Sequence, residues 1–164
     1  MLTKTTEMAI CVLVHLGLLQ KKGLAEETPV SLGPIAKTLD CSPTYLSKIL
    51  AHLVKAGMLK SVRGTHGGVF LARAAREITL LEIIENCQGV ILEPVVDTKP
   101  EQMKSVCAFH LALHQVRTEN VKVLSAFTLA DLVERPGGNL IGEEHKMCNT
   151  GVAIPVEDRT WLKP

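Results

Sequence analysis

The stretch SLGPIAKTLDCSPTYLSKILAHLVKAGMLKSVRGTHGGVFL, residues 31–71, leaves few folds open. A short periodic segment with Ile35, Ala36 and Leu39 on one face is interrupted by CSP. Ser42 is a good N-cap and Pro43 suits a first helical position, so a second helix begins at once. Leu46, Ile49, Leu50 and Leu53 recur at helical spacing, and Gly57 terminates the segment. Two β-prone runs, LKSVR and VFLA, then flank Gly64, Gly67 and Gly68, the pattern of a hairpin with a glycine-rich tip. Two helices, a tight turn between them and a hairpin behind them predict a winged helix-turn-helix.

The charge of this region is lopsided. Residues 41–76 contain Lys48, Lys55, Lys60, Arg63, Arg73 and Arg76 and no Asp or Glu, although the chain as a whole carries only +1. A helix fits the major groove, where base edges present a distinct donor and acceptor code. The residues that would reach deepest are Ser42, Thr44, Tyr45, Ser47 and Lys48, hydroxyls and one ammonium with no acid to repel phosphate. The tip, Arg63, Gly64, Thr65 and His66 with the glycines behind them, lets backbone and one guanidinium approach phosphates or a minor groove. The alternative is an ordinary solvated basic face. Agreement among charge, helix order and glycine tip favours double-stranded DNA as the partner.

The other segments add a frame. Thr5 or Thr6 is placed to cap a first helix that starts near Glu7, with Met8, Val12, Leu16 and Leu19 at helical spacing and Gly23 as its stop. Thr79 caps a helix over ITLLEIIENC, and QGVILEPVVDTKPEQ reads as an irregular loop. A long helix is predicted from about Met103 to Leu124, and TLADLV starts a last short one. The long helix carries Leu113, Val116, Val123 and other apolar positions in excess of what one small domain covers, which predicts pairing with a second copy. The fold class is therefore mostly α with a small β-hairpin wing, a winged helix-turn-helix plus a long dimerisation helix. The expected organisation is a DNA-binding domain over 1–78, a sensor loop and dimerisation helix over 79–135, and a weakly ordered tail over 136–164.

The residues SPTYLSKILAHLVKAGMLKSVRGTHGGVFLARAAREITLLEIIE, followed by the Cys107–His110–His114 spacing, resemble the Rrf-two family of bacterial transcription regulators. The resemblance covers about residues 2–135. It implies a winged-helix domain whose long helix crosses its twin in a homodimer. It also implies major-groove contact by Thr44, Tyr45 and Ser47 and wing contact by Arg63 and Gly64. Many members of this family hold an iron–sulfur cluster on three evenly spaced Cys in the loop before the long helix. Here residues 88–106 contain no Cys, and only Cys107 falls on a matching position. His110 matches a fourth ligand in one branch, and Glu7 matches a carboxylate offered by the partner subunit in others.

Cys11 lies one turn after Glu7, and Cys87 ends the helix before the loop. Cys107, Cys87, Cys11, Glu7 and His110 thus form a candidate mixed-ligand site across a dimer, for an iron–sulfur cluster of the two-iron rather than the four-iron kind, or for another metal. Thiol oxidation at Cys107 is a further possible signal. Each thiol also has a plain packing role open to it, above all Cys11 on an apolar helix face and Cys41 beside the second helix. His145 and Cys148 in the tail are spaced like ligands but stand alone.

Two rivals remain: a cofactor-free regulator controlled by a partner protein or small molecule, and a metal-dependent enzyme using His110, His114 and Cys148. The enzyme lacks a clear acid partner for its histidines. No apolar run is long enough to span a bilayer, and the first helix lacks a cleavage site, so the chain reads as cytoplasmic.

Overall fold

The computed structural model describes residues 2–23, 28–64, 67–90 and 106–134. Thr65, His66, most of the loop expected before the long helix, and the tail pair His145 and Cys148 lie outside the described residues.

Helix α1, Lys4–Lys21, is the central element. Ala9, Val12, Leu13 and Leu16 are fully or almost fully buried on it, so it is apolar around much of its circumference. Its N-cap is Thr3 rather than Thr5 or Thr6, with the Thr3 hydroxyl accepting from the Thr6 N–H. Helices α2, Leu32–Thr38, and α3, Pro43–Lys55, form the helix-turn-helix. Asp40 in the turn adopts φ +45°, and its neighbour Cys41 closes the turn with an N–H to the Ala36 carbonyl. Strands β1, Leu59–Val62, and β2, Gly68–Leu71, pair antiparallel with Leu59 opposite Leu71 and Val62 opposite Gly68. Val30 adds a bridge to Val69 on the other edge of β2.

A 3-10 turn over Ala75–Glu77 leads into α4, Leu80–Gln88, capped by Thr79 as its sequence position predicts. Helix α5 spans Ala108–Ala126 and α6 spans Leu129–Glu134. Thr79 bridges Thr128, and the Leu129 N–H donates to the Ile78 carbonyl, so α6 is pinned beside the start of α4. Ile83, Leu129 and Val133 join Leu13, Leu46, Leu53 and Met58 in one hydrophobic cluster. Burial of a side chain of this kind is worth about 1.5–3 kcal/mol. The helix-turn-helix, α4 and α6 are thus all held to α1 through shared apolar burial. Among the described residues no helix is long and apolar enough to cross a membrane.

Candidate nucleic-acid interface and cysteine site

Helix α3 divides cleanly into two faces. Leu46, Ile49, Leu50 and Leu53 are buried, whereas Thr44, Ser47, Lys48 and Ala51 are exposed. Ser42 caps the helix by accepting from the Tyr45 N–H at 3.2 Å, and Pro43 occupies the first turn without sacrificing a helical hydrogen bond. The Ser47 hydroxyl donates back to the Pro43 carbonyl at 2.8 Å. Ser42 and Ser47 therefore have local backbone partners, and Thr44 and Lys48 are the outward groups at the head of the helix. Tyr45 is half-buried against the core, and its hydroxyl lies 3.4 Å from the Thr5 hydroxyl on α1. It braces the head of α3 as well as bordering its outer face.

The hairpin stands beside that face. Arg63 and Gly64 are exposed at its near end. Gly64 has φ +113°, a conformation that L side chains rarely adopt. Gly68 serves a different need: a Cβ there would lie 2.3 Å from the Val30 carbonyl oxygen. A groove of about 550 Å³ runs between α3 and the hairpin, bordered by Ser47, Ala51, Val54, Ser61, Val62 and Gly64. The cations are not all equivalent. Lys48, Lys60, Arg63 and Arg76 are exposed, but the Arg73 guanidinium is ion-paired with Glu82 on α4. Arg73 consequently ties the end of the wing to α4 instead of adding to a free positive surface.

The cysteines are dispersed. Cys107 is the N-cap of α5, because the helix starts at Ala108 rather than near Met103. It is exposed, and its Sγ lies 2.9 Å from His110 Nδ1. Residues at N-cap and N3 meet across the first turn, the spacing used by a capping box, and here a thiol and an imidazole occupy it. The Phe109 ring meets His110 edge-on at a centroid distance of 5.6 Å. Cys11 is 7% exposed and belongs to the core cluster. Cys87 is half-buried against that cluster, and burial pushes its thiol pKa up. Burial, followed by the Asp40 carboxylate, does the same for Cys41. Glu7 is half-exposed on α1. Among the described residues of one chain, no three His, Cys, Asp or Glu side chains gather as a metal shell. Cys107 and His110 are brought together; Cys11 and Cys87 pack elsewhere.

Two contacts were not foreseen from sequence. Gln88 Oε1 accepts from the Thr3 N–H at 3.1 Å and from the fully buried Thr6 hydroxyl at 3.0 Å. His52 Nε2, at the end of α3, meets the Asn86 carbonyl on α4. Helical spacing of Thr3 and Thr6 reveals their mutual contact, but nothing local announces a partner more than 80 positions away.

A family profile described as Rrf2, iron-dependent transcriptional regulator, matches residues 2–135. The chain is 34% identical over 136 residues to the HTH-type transcriptional regulator NsrR of Geobacillus kaustophilus, covering 81% of this chain and 89% of that one. The structure of CymR, the global cysteine regulator of B. subtilis, superposes with a TM-score of 0.63 at 27% identity, covering 82% of this chain and 96% of the other. T. potens IscR superposes with a TM-score of 0.60 at 30% identity, covering 87% and 93%.

Proposed function

Because the chain belongs to the Rrf2 family of transcriptional regulators, we propose that it works as a homodimer on a specific DNA operator and responds to redox, iron–sulfur or metal status around Cys107. Membership makes it a DNA-binding regulator rather than a metalloenzyme built on His110, His114 and Cys148. The observation that carries the operator reading is the exposed surface formed by Thr44, Lys48 and Arg63 on α3 and the hairpin, drawn from a stretch, 41–76, without Asp or Glu. Base-edge contact from Thr44 and its neighbours Tyr45 and Ser47 sets sequence preference. Lys48 and Lys60 neutralise phosphates, which strengthens binding to any duplex. Gly64 lets the wing backbone come close, and Thr65 and His66 beside it in the chain are proposed as further contacts.

A second copy enters through α5. Phe109, Val116 and Val123 are exposed on it, Phe109 by 67%, and Phe127 is exposed at its C-cap. With Leu113 they lie along one stripe, at steps of four, three, seven and four residues, the spacing of a helix seam with Asn120 at the position between Val116 and Val123. Twinning along this stripe sets two copies of α3 against one duplex, with half-sites one turn apart, roughly 34 Å.

The sensor part is supported by the Cys107–His110 contact and by the description of the family as iron-dependent. A thiolate and an imidazole are donors that iron–sulfur and zinc centres accept. They provide only part of a shell, so the remaining donors would come from a second copy, with Glu7, half-exposed on α1, the candidate. Cys11 and Cys87 would have to leave core packing to join it. A bound iron–sulfur cluster supplies a centre whose charge and integrity respond to oxidants. The chain's own contribution is position: Cys107 stands at the N-cap position of α5, and α5 packs on α4, so a change at the thiol acts on the helix that orients the dimer. The test is anaerobic purification followed by absorption spectroscopy and iron and zinc analysis, with DNA affinity measured before and after oxidant. Protein without metal and without response to oxidant leaves a cofactor-free regulator.

A further inference from the structure

The last turn of α4 touches the C-terminal end of the recognition helix directly and is linked to its N-terminal end through α1. Tyr45 and His52 are two helical turns apart on α3 and share one flank of it, between the exposed face of Thr44, Ser47, Lys48 and Ala51 and the buried face of Leu46 and Leu53. His52 meets the Asn86 carbonyl directly. Tyr45 is reached in two steps, because Gln88 holds the start of α1 and Thr5 of α1 lies against the Tyr45 hydroxyl.

The hydrogen bonds at Gln88 have a defined direction. The amide oxygen Oε1 has no proton to give, so the Thr6 hydroxyl spends its single proton on Gln88. The Thr3 hydroxyl, 2.8 Å from Thr6 Oγ1, must then be the donor to it. Thr3 Oγ1 still accepts from the Thr6 N–H, which is the cap of α1. Gln88 therefore sets the proton orientation of the N-terminal cap as well as accepting the Thr3 N–H. Thr6 is fully buried and is the buried polar side chain among the described residues, so loss of this acceptor strands a hydroxyl.

We infer that Gln88 and His52 are positioning residues for DNA recognition, and that the last turn of α4 is the lever that sets the angle of α3. The inference rests on the DNA-binding reading above and names how the far half of the chain acts on that surface. Gly89, with φ +86°, ends α4 immediately after Gln88.

The probe is a labelled duplex selected by the wild-type full chain from a random-sequence library, with poly(dI-dC) as the nonspecific control. Gln88→Ala lowers affinity for the selected duplex by about tenfold, within the range of coupling between distant parts of a protein. Its affinity for poly(dI-dC) stays within about twofold. Gln88→Glu keeps two acceptor oxygens at the positively polarised start of α1 and restores specific binding to within about threefold of wild type. His52 is exposed, so His52→Ala folds, and it too lowers specific but not nonspecific affinity. Equal specific affinity of wild type, Gln88→Ala and His52→Ala overturns the inference. So does an equal loss on both duplexes, or failure of Gln88→Glu to restore binding, because each marks a purely structural role. If the wild-type chain selects no sequence at all, the operator reading fails instead, and this outcome precedes any comparison of variants.

Discussion

Cys107 and His110 meet at N-cap and N3 of α5, with Sγ 2.9 Å from Nδ1. Cysteine is a poor N-cap compared with Ser or Asp. The position favours the thiol only if its chemistry, not the start of the helix, is what the chain needs there. Cys107→Ser separates the two. The serine hydroxyl caps α5 better, so the melting temperature is held or raised, with a gain of up to about 1 kcal/mol. Bound iron or zinc and the oxidant response of DNA binding are lost. Metal content and oxidant response equal to wild type would remove Cys107 from the sensor and turn attention to His145 and Cys148.

Arg63 and Lys48 separate specific from general binding. Arg63→Ala weakens binding to the selected duplex by about 1–3 kcal/mol, the size of a lost base-edge or tip contact. Lys48→Ala and Lys60→Ala weaken binding to every duplex, and each lowers the slope of log affinity against log salt by about one. Titrations at several salt concentrations distinguish the two classes. Arg73→Ala should show neither pattern, because its guanidinium is engaged by Glu82.

Val116→Asp tests the second copy. Val116 is 52% exposed in one chain and sits midway along the α5 stripe. A carboxylate there must be desolvated if the stripe is covered by a twin. Sedimentation at micromolar concentration is expected to show a dimer for wild type and a monomer for the variant. Equal sedimentation of both removes α5 as the interface.

Gly68→Ala tests the wing. The added methyl would stand 2.3 Å from the Val30 oxygen, 2.5 Å from its carbonyl carbon and 2.9 Å from the Ser31 nitrogen, all backbone. Backbone cannot rotate away as a side-chain tip can, so the Val30–Val69 bridge must open. A loss of about 1–3 kcal/mol in urea unfolding is expected. The bridge hydrogen bonds, Val30 N–H to Val69 O at 2.9 Å and its reciprocal at 3.0 Å, should lose exchange protection first.

Cys87 gives a pH test. Burial raises its thiol pKa, so the folded chain prefers the neutral form. Its contribution to stability is fully present below the ordinary thiol value of about 8.5 and is lost as pH rises through the raised folded value. The stability difference between wild type and Cys87→Ala should therefore shrink between about pH 7 and pH 10. At neutral pH, alkylation followed by mass spectrometry is expected to label exposed Cys107 before Cys87, and buried Cys11 last.

What local sequence determined is what neighbours in the chain decide by themselves. Ser42 and Pro43 start α3 because cap and first-turn geometry involve only a few consecutive residues. The glycines flanking β1 and β2 specify a hairpin for the same reason, and Cys107 and His110 meet because three residues of helix bring them together. The start of α1 was not decided in this way. Thr3, Thr5 and Thr6 are all capping residues, and the selection of Thr3 goes with Gln88, whose oxygen receives both the Thr3 N–H and the Thr6 hydroxyl. Charge counting along the chain placed Arg73 in the basic block, but the fold brings Glu82 to it. The pattern of apolar residues identified Cys11 as either core or ligand, and only the fold put it in the core. Hydrogen-bond direction, ion pairing and burial depend on groups distant in sequence, and tertiary structure decided them because desolvation penalises every polar group that folding leaves without a partner.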